Sequence, residues 1–162
     1  VGEFPKDIKK YVVIAAPHTH WQDLPMGLLL RKITKTTINF VAKKELFIWP
    51  LSWYLKKIGG FSIDRTKGQK TVDAYAELFN KTDEFRLNIA PEGTRKKVDE
   101  WKTGFYYISK KANVPIVMVA FDFGKKQHKI SKAFYPTDDK EADFKYMHSF
   151  FEGVVGKVPE YS

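Results

Sequence analysis

The sequence predicts an α/β fold in which helices cover both faces of a mainly parallel or mixed β-sheet. Short apolar runs alternate with helical patterns along the whole chain, and such alternation is typical of βα units. The runs are continuously apolar, as in strands that are buried on both faces. A length of 162 residues with 43% hydrophobic content suits one core, so we expect a single domain over residues 1–162.

The first predicted strand covers residues 11–16, where a continuous run of apolar and β-branched side chains indicates a buried strand. Similar runs predict further strands at residues 37–42, 61–64, 85–90 and 114–121. Residues 129–135 are expected to pair beside the last of these.

The first predicted helix, residues 23–34, begins at Asp23, a favoured N-cap residue, and carries Pro25 in its first turn. Helical patterns predict further helices at residues 43–58, 69–81 and 103–112. A final helix opens at Thr137 and is expected to bury its apolar residues, Phe144, Met147, Phe150 and Phe151.

The predicted helix over residues 43–58 is unusual because its segment 46–55 is almost wholly apolar. Pro50 inside it predicts a kink or a break. A helix that is apolar all round is either buried or in contact with something apolar. Two interpretations remain open: a wholly internal helix, or a wall for a fatty chain or a membrane-contacting face.

A net charge of +9, from 28 Lys and Arg against 19 Asp and Glu, indicates an anionic partner such as nucleic acid, a phospholipid surface or a phosphorylated substrate. The absence of cysteine excludes disulfide bonds, a thiol nucleophile and thiolate metal sites. Residues 1–10 lack the apolar core of a signal peptide, and segment 46–55 is shorter than the ~20 residues that span a bilayer. We therefore expect a cytoplasmic protein that does not cross the membrane.

Polar clusters follow three of the predicted strands, at residues 18–23, 64–65 and 92–95. In open α/β sheets, ligands bind in the crevice outside the carboxyl ends of the strands. We therefore expect the three clusters to converge on one site.

In the first cluster, His18 and Asp23 are suited to act as a base and an orienting carboxylate. An imidazole with its ordinary pKa near ~6.5 can take a proton from a hydroxyl, and a carboxylate on its other nitrogen fixes the tautomer. Helical geometry keeps residues five apart off one face, so the two meet only with His18 in the loop and Asp23 at the helix start. Two alternatives remain open. In the first, Asp23 is only an N-cap and His18 is an ordinary loop residue. In the second, His18, His20 and Asp23 bind a metal ion, although a metal site needs three or four donors.

The other two clusters are suited to anion binding. Arg65 and Arg95 carry forked donors that fit a phosphate, and Gly93 lets backbone N–H groups approach it closely. The alternative is a solvated basic face in which Glu92 and Arg95 form a weak local ion pair.

Four short motifs occur in order along the chain. They are His-x4-Asp at residues 18–23, Gly-Gly-Phe-Ser-Ile-Asp-Arg at 59–65, Pro-Glu-Gly-Thr-Arg at 91–95 with Lys-Thr-Gly at 102–104, and Val-Pro-Ile-Val at 114–117. Each alone is a weak signal, but four in this order are specific. Together they resemble the glycerolphosphate acyltransferase superfamily, in particular lysophosphatidate acyltransferases, over residues 12–121.

The resemblance implies an O-acyltransferase of phospholipid synthesis. Such an enzyme moves a fatty acyl group from an acyl-coenzyme A or acyl carrier protein thioester to the hydroxyl of a lysophospholipid acceptor. The resemblance makes His18 the general base and Asp23 its orienting partner. It assigns the acceptor phosphate to Arg65, Glu92, Gly93, Thr94 and Arg95. It implies no cofactor and no metal.

For such an enzyme, we expect Leu46, Trp49 and Trp53 to form a wall for the acyl chain, and the domain to lie on the cytoplasmic face of an anionic membrane as a peripheral protein. A hypothesis of a different class is a non-enzymatic basic module that binds anionic lipid or nucleic acid. It leaves His18 and Asp23 without a role, and most aromatic residues lie at positions predicted to be buried. We therefore expect no nucleic-acid partner.

Overall fold

The main sheet of the computed structural model is centred on β1 (Lys10–Ala15). The structure describes residues 1–43, 47–63, 71–94 and 98–161. β1 pairs in parallel with β4 (Phe85–Ile89) on one side and with β5 (Ile116–Asp122) on the other. β6 (Gln127–Ile130) runs antiparallel to β5, so the strand order is β4-β1-β5-β6. The predicted mixed, mainly parallel sheet is confirmed.

A second pair of parallel strands, β2 (Phe40–Lys43) and β3 (Gly60–Ile63), lies beyond β4. The link is Asn39, whose N–H donates to the Arg86 carbonyl at 2.6 Å and whose carbonyl accepts from the Asn88 N–H at 2.8 Å. The side-chain oxygen of Asn39 also accepts from the Arg86 N–H at 3.1 Å. This bridge sets β2 alongside β4.

Helices cover both faces of the sheet. One face carries α1 (Asp23–Thr34), and the other carries α3 (Thr71–Lys81), α4 (Gly104–Ala112) and α5 (Lys140–Phe151). Successive residues of β1 alternate between the two faces, because side chains of a strand point to opposite sides. Val13 packs with Leu30 of α1, whereas Val12 and Ile14 join the core of the other three helices. The prediction of helices on both faces is confirmed.

The helix predicted over residues 43–58 is wrong in its extent. β2 runs to Lys43, and α2 covers only Leu51–Lys57 directly after Pro50, because proline lacks an N–H and its ring clashes with a preceding helical turn. α2 contains no buried residue, so the interpretation as a wholly internal helix is wrong too. Within the described ranges, no helix is both long and apolar enough to cross a bilayer.

The other element boundaries differ from the predicted ones by up to five residues, as at β6, which ends at Ile130 rather than at residue 135, and at the start of α5. This helix begins three residues later than predicted, because Asp139 acts as its N-cap and accepts from the Ala142 N–H at 3.0 Å. Thr137 instead donates its N–H and its hydroxyl to the two carboxylate oxygens of Asp143, at 2.7 Å and 2.9 Å. A short 3-10 helix, Pro159–Tyr161, follows.

Candidate active site

His18 lies in the loop between β1 and α1, and Asp23 is the first residue of α1. The Nδ1 atom of His18 is 2.9 Å from Oδ2 of Asp23. The Asp23 side chain is 6% exposed and that of His18 is 28% exposed, so the contact between them is shielded while the imidazole still reaches solvent. A carboxylate on Nδ1 leaves Nε2 as the atom that can accept a proton. The predicted loop-and-helix placement is confirmed.

The Asp23 carboxylate holds the loop as well as the imidazole. Its Oδ2 accepts from the backbone N–H groups of Thr19 and His20, each at 3.0 Å. The N-cap position belongs to Gln22, which makes no side-chain capping bond. The alternative of Asp23 as a simple N-cap is therefore wrong, because its carboxylate folds back onto the preceding loop.

Glu92 holds His18 from the other side. Its Oε2 accepts from the backbone N–H of His18 at 2.8 Å, across 74 residues of sequence. Burial raises the pKa of Glu92, and the N–H and the imidazole of His18 partly oppose this rise. The carboxylate is thus committed to the His18 backbone, a different use from the phosphate contact that the resemblance implies.

The turn that follows β4 is closed by Gly93, with a φ of +65° and an N–H that donates to the Ala90 carbonyl at 3.1 Å. A Cβ at Gly93 would lie 2.6 Å from the Lys102 ammonium nitrogen, so this cation lies directly over the turn. Thr94 follows and is exposed. Glycine is favoured here because residues other than glycine rarely adopt this positive φ.

Of five further predicted site residues, the structure describes two. Gly93 and Thr94 lie in the same cleft as His18, whereas Arg65 and Arg95 lie outside the described residues, as does Leu46. The same holds for Asp64, at the end of the third predicted strand. The convergence of the first and third clusters is thus confirmed, and that of the second stays a prediction.

Two cavities meet at His18. One, of about 290 Å³, lies between α1 and the sheet, and most of the described residues around it are apolar, among them Val13, Ala15, Leu28, Val119 and Phe121. The other is an open cleft of about 400 Å³ that includes Gly93 and Thr94. His18, Asn88 and Ala90 line both cavities. The imidazole therefore lies where an apolar cavity meets a more polar cleft.

Trp49 and Trp53 line neither of these two cavities. Their exposed fractions are 88% and 65%, which puts them on the outer surface. The apolar compartment beside His18 is formed by α1 and the sheet instead.

Sequence reasoning missed two contributors to the site. Asn88 is exposed near the carboxyl end of β4 and lines both cavities, and the strand-end rule could have found it as a polar residue in an apolar strand. Thr19 accepts from the Val158 N–H at 3.2 Å. No sequence signal marks this contact, because the partners are 139 residues apart. Among the described residues, no cluster of potential ligands for a metal ion is found.

A family model described as Acyltransferase matches residues 3–122, which include both sides of this site. The chain belongs to the acyltransferase family. Similar proteins within the family include the 1-acyl-sn-glycerol-3-phosphate acyltransferases of Streptococcus pneumoniae, 32% identical over 120 residues, and of Saccharomyces cerevisiae, 32% identical over 127 residues. The 1-acyl-sn-glycerol-3-phosphate acyltransferase beta of Homo sapiens is 25% identical over 121 residues.

These alignments cover 74%, 74% and 72% of this acyltransferase-family chain, but 44%, 41% and 44% of the three relatives. The chain thus spans less than half the length of the curated relatives that it matches. No solved structure gives a significant match.

Proposed function

We propose that this chain transfers a fatty acyl group from an acyl thioester to the hydroxyl of a lysophosphatidate-like acceptor in phospholipid synthesis. The observation that carries the proposal is the position of His18, which lies where an apolar cavity meets a more polar cleft, with its Nδ1 atom bound by Asp23. Membership of the acyltransferase family and the printed names of the relatives support the same reaction class.

In this reaction, Nε2 of His18 takes the proton of the acceptor hydroxyl as its oxygen attacks the thioester carbonyl carbon. The tetrahedral intermediate then collapses, the carbon–sulfur bond breaks, and the imidazolium returns its proton to the leaving thiolate. Asp23 stabilises the imidazolium between the two steps. Proton transfer of this kind contributes about 10²- to 10⁴-fold to a rate. The mechanism needs no acyl-enzyme, and the chain has no cysteine to form a thioester with the substrate.

The acyl chain occupies the apolar cavity, since its lining matches a hydrocarbon tail and it opens at His18. The acceptor phosphate binds in the open cleft at Gly93 and Thr94, with the Lys102 ammonium above the turn. Arg65 and Arg95 complete this phosphate site in the proposal, on the strength of their motifs alone. The donor is a thioester of coenzyme A or of acyl carrier protein.

The same proposal makes the chain a peripheral protein of the cytoplasmic membrane face. The acceptor is a lipid, and the net charge of +9 favours an anionic surface. Phe79, Phe85 and Phe105 are among the aromatic residues that lie in the core and so cannot stack on nucleic-acid bases.

The test measures thiol release from palmitoyl-coenzyme A with and without lysophosphatidate. The thiol reagent receives no signal from the protein, because the chain contains no cysteine. We expect acceptor-dependent release by the wild type, loss of at least about a hundredfold in His18→Ala, and near-normal release in the neighbouring His20→Ala as the matched control.

A silent His18→Ala with an inactive His20→Ala would refute the assignment of the base. If palmitoyl-coenzyme A gives no release, the assay is repeated with an acyl carrier protein thioester. Inactivity with both donors would refute the proposed reaction.

A further inference from the structure

Exposed apolar side chains are concentrated in one part of the chain. Of the twelve large hydrophobic residues that are exposed in the described part of the chain, eight lie between Trp21 and Tyr54. Leu29 and Ile33 are one helical turn apart on the outer side of α1, and Trp49 and Trp53 lie just before and within α2. Single exposed apolar residues are ordinary, but such a concentration marks an interaction surface.

The same part of the chain is strongly basic. Residues 24–63 contain seven Lys and Arg but a single carboxylate, Glu45. Four of the cations, Arg31, Lys32, Lys35 and Lys57, line an open cleft of about 400 Å³ between the C-terminal ends of α1 and α2. An anion is therefore the natural occupant of this cleft.

The basic cleft and the exposed apolar residues belong to one face. Lys57 lines the cleft and its ammonium lies 4.9 Å from the centre of the Trp53 ring. On α1, Lys32 lines the cleft and is the neighbour of exposed Ile33. The Arg31 guanidinium ties the two helices together by donating to the Ile58 carbonyl at 2.5 Å. We call the outer sides of α1 and α2 with this cleft the α1–α2 face.

The α1–α2 face is also connected to the candidate active site. Leu28 and Arg31 line both the basic cleft and the apolar cavity that reaches His18. A lipid at the α1–α2 face would thus lie next to the compartment assigned to the acyl chain.

We propose that the α1–α2 face docks on a bilayer that contains anionic phospholipids. The tryptophan and aliphatic side chains enter the interfacial region, and the cleft cations contact lipid phosphates. Tryptophans at the headgroup level and lysines beside them are the typical composition of a membrane-contacting surface. A second copy of the chain is a poor occupant, since an isologous contact would bring the same cations together.

This inference rests on the proposed function for its lipid substrate, but its test needs no turnover. Binding of the full chain to sedimented vesicles is measured with phosphatidylcholine alone and with added phosphatidylglycerol. The inactive His18→Ala variant is expected to bind like the wild type, so a failure of the reaction and a failure of docking are separated.

One variant, Lys32→Gln/Lys35→Gln/Lys57→Gln, removes three cations of the cleft. We expect its affinity for the anionic vesicles to fall by about a hundredfold, since each lysine near such a surface contributes about a factor of five. The matched control, Lys132→Gln/Lys140→Gln/Lys145→Gln, removes the same charge at exposed positions, one just after β6 and two on α5. We expect little change in the control.

A second variant, Trp49→Ser/Trp53→Ser, removes the two exposed rings, and Tyr135→Ser removes an exposed ring outside the face. We expect the tryptophan pair to lower vesicle affinity by at least about tenfold and Tyr135→Ser to leave it nearly unchanged. Equal losses in the two lysine variants, or undiminished binding by both α1–α2 variants, would overturn the proposal.

Discussion

Asp23 and Glu92 hold His18 from two sides, one through the imidazole and the other through the backbone. Such bonds fix a catalytic group in its working orientation before substrate arrives. The two carboxylates differ in their use, because Asp23 contacts the ring that would carry the proton, whereas Glu92 accepts from the main-chain N–H of His18. Asp23 is thus suited to support proton transfer, and Glu92 is suited to position the loop.

At the scale of the residue, the raised pKa of Glu92 makes a prediction about stability. The folded state holds the proton of Glu92 more tightly than the unfolded state, because burial disfavours the carboxylate. Ionisation therefore removes stability as the pH rises from the ordinary glutamate value up through the raised one. Glu92→Gln never ionises and keeps an oxygen for the His18 N–H.

As the pH rises through this window, we expect the free energy of unfolding of Glu92→Gln to increase relative to that of the wild type. Above the window, the difference between the two proteins should stay constant. Urea unfolding of both proteins from about pH 4 to neutrality measures the difference. A difference that does not change with pH would contradict the buried, destabilising ionisation.

At the scale of the element, α1 contains Asp23 and also forms one wall of the apolar cavity. Gly27 lies on the side of α1 that faces the sheet, and a Cβ there would lie 4.0 Å from the Phe121 ring, in ordinary contact. A larger side chain at this position therefore enters the cavity without backbone strain.

We expect Gly27→Leu to shift the donor preference to shorter acyl chains, with kcat/KM for palmitoyl thioester falling by at least about tenfold relative to a short-chain thioester. Ala142→Leu adds a leucine at an exposed position of α5 and should leave the preference unchanged. The measurement compares a series of acyl-coenzyme A donors. If both variants have the same donor preference, the acyl chain does not bind in this cavity.

The segment after α5 is a second element that reaches the site. A Cβ at Gly156 would lie 2.7 Å from Cγ2 and 2.8 Å from the hydroxyl of Thr19, and 3.1 Å from Pro17. The same segment donates the Val158 N–H to Thr19. It therefore packs on the loop that carries His18, although it lies outside the part of the chain matched by the family model.

We expect Gly156→Ala to push this loop away and to lower kcat by about 10²-fold, because small misplacements of a catalytic group have effects of this size. Thr19→Ser in the same chain removes the closest methyl group and keeps the hydroxyl, so it should restore part of the loss. Steady-state kinetics of the single and double variants test this. An unchanged kcat in Gly156→Ala would show that the loop tolerates the contact.

At the scale of the whole molecule, the net charge of +9 predicts that the proposed binding to anionic membranes is sensitive to salt. Ionic screening shortens the range of electrostatic attraction to about 10 Å at 0.1 M salt. We expect vesicle binding to weaken steeply as salt rises, while turnover of short-chain, water-soluble substrates changes much less. Parallel titrations with sodium chloride measure both, and equal salt sensitivity would place the effect within the active site rather than at the surface.

Local patterns in the sequence determined the order of the elements and the first part of the site. The apolar runs predicted β1, β4 and β5, because strand burial is visible in the side chains of the strand itself. The boundary of α1 placed Asp23 at a helix start, and the four residues between His18 and Asp23 are few enough to bring the two side chains together. These inferences succeed because periodicity, helix starts and short loops act over a few neighbouring residues.

Only the tertiary structure decided what surrounds this pair. The hydrogen bonds of Glu92 with the His18 N–H and of Val158 with Thr19 join residues that are 74 and 139 positions apart. The helix α2 contains no buried residue, although its apolar composition is typical of a buried helix. The cavity beneath α1 belongs to no single segment. Such features depend on how complete elements pack, and side chains distant in sequence carry no local pattern that identifies their partners.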